Sequence, residues 1–504
     1  MAVAEGVDRA FEELRARIAQ YWDLAKVQMI LFWDQRTMMP PGGAADRAEQ
    51  LATLARLTHE TLVSDETGRL LEEVRPFGES LEYDSDHASL LRWLRREYGK
   101  AVRVPVELRA ELSRAAAQGL PVWERARRES DFGLFLPVLR HNFELRRQYV
   151  ACFEPAEEDY DHLLDDFEPG MRTSEVRAIF DRLKEGLQPL LREVLDSEPP
   201  DDSFLHGTFP LAAQQELERR VLAGFGFTPE SWRIDETVHP FASSAGIADI
   251  RLTTHHREHD LHSVFATMHE FGHGLYERQV GPELARTPLA RGCSLGVHES
   301  QSRMWENLVG RSLPFWRRFY PDLQELFPSF GSVGLDAFYR AINRIRPSLI
   351  RIDADEVTYN FHIILRFELE QELLSGALDP ADAPEAWDAK MQEYLGIDVP
   401  DVADGILQDM HWAGGNVGYF STYSLGNIVS CQLWERIRAD LPGLDDEFER
   451  GEFGSLRDWL AKHVHRHGRK YMPTELLERA VGGPIDPEPY LAYLRRKLGS
   501  IYGL

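Results

Sequence analysis

Cysteine is scarce in this chain: Cys152, Cys293 and Cys431 are the only three in 504 residues. They are odd in number, far apart and without CxxC spacing, which argues against a disulfide-stapled secreted scaffold or a cysteine-rich zinc module. Reduced thiols of a cytosolic protein are expected, with Cys293 read as a buried structural thiol rather than a metal or redox group. Positive charge is also in deficit, since 57 Lys and Arg face 83 Asp and Glu for a formal net charge of −26. Such a surface repels phosphate backbones and anionic lipids, so neither nucleic acid nor membrane is an expected partner. No run reaches the roughly 18 apolar residues needed to span a bilayer. The first residues, acidic and amphipathic, lack the basic segment and apolar stretch of a secretory signal. A cytoplasmic location follows as the expectation. Internal repeats and low-complexity tracts are missing too.

What the chain does have is helical periodicity. Phe11, Leu14, Ile18, Tyr21, Leu24, Val27 and Leu31 predict a long helix over 8–35, and Leu51, Leu54, Leu57 and Leu62 a second. The helical pattern fills 87–153, resumes after Thr173 and runs from Tyr423 to Arg438. Only 231–254 changes period, where Trp232, Ile234, Ile250 and Leu252 suggest short strands. A mainly α fold is expected, with a small sheet and two lobes around a cleft; 1–504 is read as a single domain. The Pro- and Asp-rich loop at 196–207 is the coarse division between lobes. A Gly- and Asp-rich segment at 396–420 reads as a shaped loop lining a site.

The chemistry centres on His269-Glu270-Phe271-Gly272-His273. Residues four apart on a helix share a face, so both histidines can reach one metal ion. Glu270 lies about 100° further round, too far for an easy third ligand yet close enough to hydrogen-bond a water held by the metal. Asp260 is the expected N-cap, and Leu261, Val264, Phe265, Met268, Phe271 and Leu275 supply the apolar stripe. A catalytic zinc needs a third protein ligand and an open position. Glu299, on a second helix 26 residues after His273, is favoured; His298 is the alternative. The His255, His256, His259 and His262 stretch reads as a hydrated approach loop rather than a second metal site.

These motifs together resemble the Taq-type metallocarboxypeptidases of peptidase family M32. The resemblance rests on HExxH with His298-Glu299-Ser300; a DxRxT segment, Asp249-Ile250-Arg251-Leu252-Thr253; an IRxxAD segment, Ile350 to Asp355; and GxxQDxHW, Gly405 to Trp412. It implies a helical, two-lobed homodimer with a deep groove that removes single residues from peptides with a free C-terminus. Broad side-chain preference, usually excluding C-terminal proline, comes with it. It also implies a divalent metal, zinc or sometimes cobalt, on His269, His273 and Glu299, and a DxRxT region that closes the groove.

On that footing Glu270 is the expected general base. Tyr419, Tyr423 and His411 are the candidate oxyanion donors. Arg351 and then Arg251 are the candidate receptors for the terminal carboxylate, with His298 and Asp249 as further substrate contacts. Each has a plainer reading: an Arg351–Asp355 helix ion pair, core tyrosines, and His411 as a partner that orients a metal ligand.

Overall fold

The computed structural model describes residues 2–504. Its first helix, α1 (Ala2–Thr37), covers the predicted 8–35. Phe11, Leu14 and Ile18 are buried against Leu70, Leu71, Leu90 and Leu94, and against Leu284 and Leu289, forming a small core of their own. The stripe then opens: Val27 is exposed, because beyond Trp22 the helix leaves that core and passes over a cavity lined by Ala25, Lys26 and Met29. The second helix (Ala44–Val63) buries only Leu62. The pattern over 87–153 resolves into three helices, Asp86–Arg103, Val106–Glu129 and Phe132–Val150.

A second, much larger core holds the rest of the molecule. The 196–207 loop does not divide it: Leu187 and Val194 of α2 (Thr173–Leu195), before the loop, share it with Phe209 and Leu217 after it. Among the described residues no helix is long and apolar enough to cross a membrane.

The sheet has three strands, β1 (Trp232–Glu236), β2 (Ala242–Gly246) and β3 (Asp249–Thr254), in the order β1-β3-β2. β1 pairs parallel to β3, with Trp232 opposite Ile250 and Ile234 opposite Leu252. β2 runs antiparallel on the other side, with Ser243 opposite Arg251. That leaves β2 as an edge strand.

The buried face of the sheet packs on α3 (His262–Arg278), the helix that carries the HExxH residues. It begins two residues later than the expected cap. Leu261 occupies the cap position, while the Asp260 carboxylate accepts from the His262 N–H at 2.9 Å. Val264, Phe265, Met268, Phe271 and Leu275 are all buried, as their spacing requires. The two glycines of α3 let it approach on opposite sides. A Cβ on Gly274 would lie 2.6–2.9 Å from Trp232, Ile250 and Leu252; one on Gly272 would lie 2.4 Å from the Gln301 carbonyl oxygen.

Gln301 belongs to α4 (Leu295–Arg303), which continues through Met304–Val309 with wider, π-type turns. A Gly272→Ala substitution gains about 1 kcal/mol of helix propensity. It must nevertheless push two backbones apart, and overpacking of this kind costs roughly 1–3 kcal/mol or more. Denaturant unfolding of the metal-free variant should therefore show net destabilisation; an unchanged or raised midpoint would contradict this packing.

Two more helices complete the walls. α5 (Thr358–Ser375) ends at Gly376, whose φ of 78° suits glycine. α6 (Ser421–Asp440) follows the 396–420 loop and crosses α4 so closely that a Cβ on Gly426 would lie 2.5 Å from Glu299 Cγ.

Candidate metal centre

Three ligand atoms converge where α3 meets α4. His269 and His273 turn their Nε2 atoms toward the same oxygen, Glu299 Oε2, at 3.6 and 3.4 Å. Adjacent ligands of a tetrahedral ion with bonds of about 2.0–2.1 Å stand about 3.3 Å apart, so this donor set fits a single zinc-sized cation. Among the described residues, His269, His273 and Glu299 are the group that could hold a metal.

The opposite nitrogens explain why the Nε2 lone pairs are available. His269 Nδ1–H donates to Glu306 Oε2 at 2.9 Å. His273 Nδ1 meets His298 Nδ1 at 2.6 Å, and His298 Nε2 meets Glu277 Oε1 at 3.0 Å. Glu277 stays ionised: burial pushes its carboxyl up, but the His298 hydrogen bond and the Lys26 charge outweigh this and hold it well below the usual range. An ionised Glu277 accepts from His298 Nε2–H, His298 Nδ1 then accepts from His273 Nδ1–H, and His273 Nε2 is left as a lone pair. Carboxylate and histidine partners of this kind fix the ring and raise its basicity. His298 is thus an orienter of His273, with both its ring nitrogens engaged.

Glu299 is fixed from its other oxygen. Arg303 Nε donates to Oε1 at 2.7 Å, and Ser302 Oγ donates to Oε2 at 3.0 Å. Burial works against ionisation, yet Arg303, His269 and His273 keep the carboxyl well below its ordinary value. Arg303 also reaches Glu306 at 3.2 Å, so the guanidinium ties the third ligand to the partner of the first. Glu306 lies seven residues after Glu299, two turns on along the same side, while Trp305 beside it points into the core.

Glu270 is buried beside the triad, and burial pushes its carboxyl up to about 7. The Ala242 amide faces it and favours the charged form. That donor is free because Phe241, not Ala242, bonds β3: its carbonyl accepts from Thr253 N–H at 3.0 Å. Outward-facing groups of the edge strand thus meet the site, Ala242 at Glu270 and the Ser244 carbonyl at Lys26 Nζ, 3.0 Å away.

The cavity over the triad, about 470 Å³, is also lined by Tyr419, Tyr423, Ser243, Ser244, Lys26 and Arg291. The other predicted residues fall at graded distances from it. His411 stands behind the tyrosines, its Nε2 3.5 Å from Tyr423 Oη; burial drives it down to about 4 and keeps it neutral.

Arg351 does not pair with Asp355, which instead accepts from the Val357, Thr358 and Arg346 amides. The reason is local: 351–353 form a single 3-10 turn, not the helix that an i,i+4 pair needs. Arg351 Nη2 donates to Asp409 at 2.7 Å and Nη1 to Tyr359 Oη at 2.9 Å, with the guanidinium 5.0 Å from the Tyr423 ring. Arg366 Nε shares Asp409 at 2.7 Å.

Asp249 and Arg251 pair with each other at 2.9 Å, and Arg251 lies over Trp33 at 4.4 Å, on the sheet face turned away from α3. His256 is taken up by Glu218 at 3.1 Å and Glu236 at 3.3 Å, so the histidine-rich stretch does not converge on a second metal. Cys293 is buried under the Tyr276 hydroxyl, with its thiol pushed up to about 12 by burial.

Sequence reasoning missed Arg303, Glu306, Glu277, Lys26 and Asp409. Glu277 was within reach, since it lies four residues after His273 on the same helical face. Arg303 was within reach as well, four residues after Glu299 on α4; Lys26, Asp409 and the pairing of Glu306 with His269 depend on contacts between elements.

Residues 13–498 match the family described as Carboxypeptidase Taq (M32) metallopeptidase. Thermostable carboxypeptidase 1 of Thermus thermophilus is 43% identical over 493 residues, covering 95% of this chain and 96% of that protein. Carboxypeptidase 1 of Bacillus subtilis is 37% identical, with 98% of each covered. The crystal structure of the M32 carboxypeptidase from Deinococcus radiodurans superposes with a TM-score of 0.95 at 38% identity, over 98% of this chain and 100% of that one. The chain belongs to the M32, or carboxypeptidase Taq, family of metallocarboxypeptidases.

Proposed function

We propose that the protein is a zinc-dependent carboxypeptidase that releases single residues from the free C-termini of peptides, with broad side-chain preference and poor release of C-terminal proline. The observation that carries this is the triad itself: two Nε2 atoms and one carboxylate oxygen at tetrahedral spacing, with Glu270 alongside. Two nitrogens and an oxygen suit zinc, and cobalt can take the same place. A cytoplasmic homodimer belongs to the same reading and rests on the family.

When bound, the ion polarises the scissile carbonyl and acidifies the attacking water. Glu270 takes a proton from that water and returns it to the departing amine. The Ala242 amide, facing its carboxylate from the edge strand, favours the charged form that accepts this proton. Tyr419 and Tyr423 face the cavity and donate to the carbonyl oxygen as negative charge develops there. His411 positions Tyr423. Asp249 and Arg251, packed on Trp33, close one end of the groove.

Arg351 and Arg366 place two guanidiniums around the single carboxylate of Asp409. The surplus positive charge stands behind Tyr423, and Arg351 has N–H groups left over to bind the terminal carboxylate. Matched peptides with a free and an amidated C-terminus test this. The free acid should be cleaved at least about 100-fold more efficiently, and Arg351→Ala should raise KM steeply for the free acid alone. Equal rates on acid and amide would overturn the exopeptidase reading.

A further inference from the structure

The ionisable groups lining the metal cavity are nearly all committed within the protein. Glu299 serves His269, His273 and Arg303. Glu277 accepts from His298, from Ser244 Oγ at 3.0 Å and from the Gly292 amide at 3.1 Å. Lys26 reaches in from α1 and is spent on the Ser244 carbonyl and hydroxyl, at 3.0 and 2.8 Å. Arg291 is the exception. Its side chain is exposed at the cavity wall, and among the described residues its guanidinium has no hydrogen-bond or ion-pair partner.

The backbone beneath this side chain is held firmly. The Arg291 N–H donates to the Leu289 carbonyl at 2.9 Å, and the next residue is clamped between Glu277 and Arg469, which donates to the Gly292 carbonyl at 3.0 Å. No side chain larger than hydrogen fits at 292, where a Cβ would lie 2.6 Å from His298. With Lys26, Arg291 sets two cations against the one ionised carboxylate of Glu277, which leaves this corner of the cavity a surplus of positive charge. The chain carries a net charge of −26, so a carboxylate is repelled from most of the surface and drawn to this corner.

We propose that Arg291, backed by Lys26, is a receptor for an acidic side chain of the peptide substrate. The planar fork of the guanidinium matches a carboxylate bidentately, and among the described residues no carboxylate contacts it; the charge of Glu277 acts on it only through space. The proposal rests on the carboxypeptidase reading above and deepens it, because it adds a selectivity that the metal triad does not impose.

The test is steady-state kinetics of the zinc-loaded wild type and of Arg291→Ala, Arg291→Glu and Arg291→Lys. The substrates are three tripeptides that share their first two residues and end in Glu, Ala or Lys. If the acidic side chain is the partner, the Glu-to-Lys ratio of kcat/KM falls about 10- to 100-fold in Arg291→Glu, mostly through KM, and Arg291→Lys restores most of it. If KM instead rises about tenfold for all three peptides in Arg291→Ala while the ratio holds, Arg291 binds the chain terminus in place of Arg351 and the side-chain assignment falls. Constants within about twofold of wild type throughout would overturn it, as would an altered visible spectrum of the cobalt-loaded variants, which would make Arg291 a support of the metal centre. A wild type that releases no C-terminal residue from any of the three peptides would sink the carboxypeptidase reading, and the receptor with it.

Discussion

Replacing Glu270 with glutamine should lower kcat by about 10²–10⁴-fold, the usual worth of a positioned general base, while the protein still binds one divalent ion. The substitution is isosteric, and the side-chain oxygen can still face the Ala242 amide, so the side chain should keep its place. What disappears is the capacity to take a proton from the attacking water. Glu270 is no ligand in this arrangement: the convergent atoms are those of His269, His273 and Glu299. Metal content and KM should therefore change little. Residual turnover above about a tenth of wild type, far outside the range for a lost base, would remove Glu270 from that role. Loss of metal would make it a ligand.

Glu299→Ala should do more damage than His273→Ala, although each removes one ligand. Loss of a ligand by either route should weaken metal binding by well over the roughly 10–100-fold typical of a lost supporting contact. Glu299, however, is also the nearest counter-ion of Arg303, at 2.7 Å, with only Glu306 at 3.2 Å to replace it. Both side chains are well shielded from water. Breaking a buried pair from one side typically costs about 3–5 kcal/mol, because the other charge stays behind.

Unfolding of the metal-free proteins separates the two effects. Metal-free Glu299→Ala should lie several kcal/mol below metal-free wild type. Metal-free His273→Ala should lie closer to wild type, since the His273–His298 contact involves no lone buried charge. Equal stability of the two variants would show that Arg303 finds enough compensation in Glu306.

The sequence made the triad legible because its parts are local. Four-residue spacing sets His269 and His273 on one face, and the apolar stripe Val264, Phe265, Met268, Phe271, Leu275 says which face is buried. Glu299 needed the chemistry of zinc sites and the motif pattern as well. β2 escaped because Ala-Ser-Ser-Ala-Gly has little strand preference; only its pairing with β3 makes it a strand. Glu306 escaped for a different reason: it lies seven residues after Glu299, on nearly the same side of a helix, but the histidine it serves, His269, is on α3 and 37 residues away. The Arg351–Asp409 pair joins residues 58 apart in sequence. Local spacing pointed instead to Asp355, which is occupied with amides. What Gly272, inside HExxH, and Gly274, just after it, make room for needed the structure: Gly272 meets α4, and Gly274 meets the sheet.

The central claim is that His269, His273 and Glu299 hold a metal ion with which Glu270 releases C-terminal residues one at a time. Mass spectrometry of a mixed set of short peptides, incubated with zinc- or cobalt-loaded protein and with a chelated control, tests it most directly. The account predicts ladders shortened by single residues from the C-terminus, abolished by the chelator. Internal fragments, released dipeptides, or ladders indifferent to the chelator would contradict it.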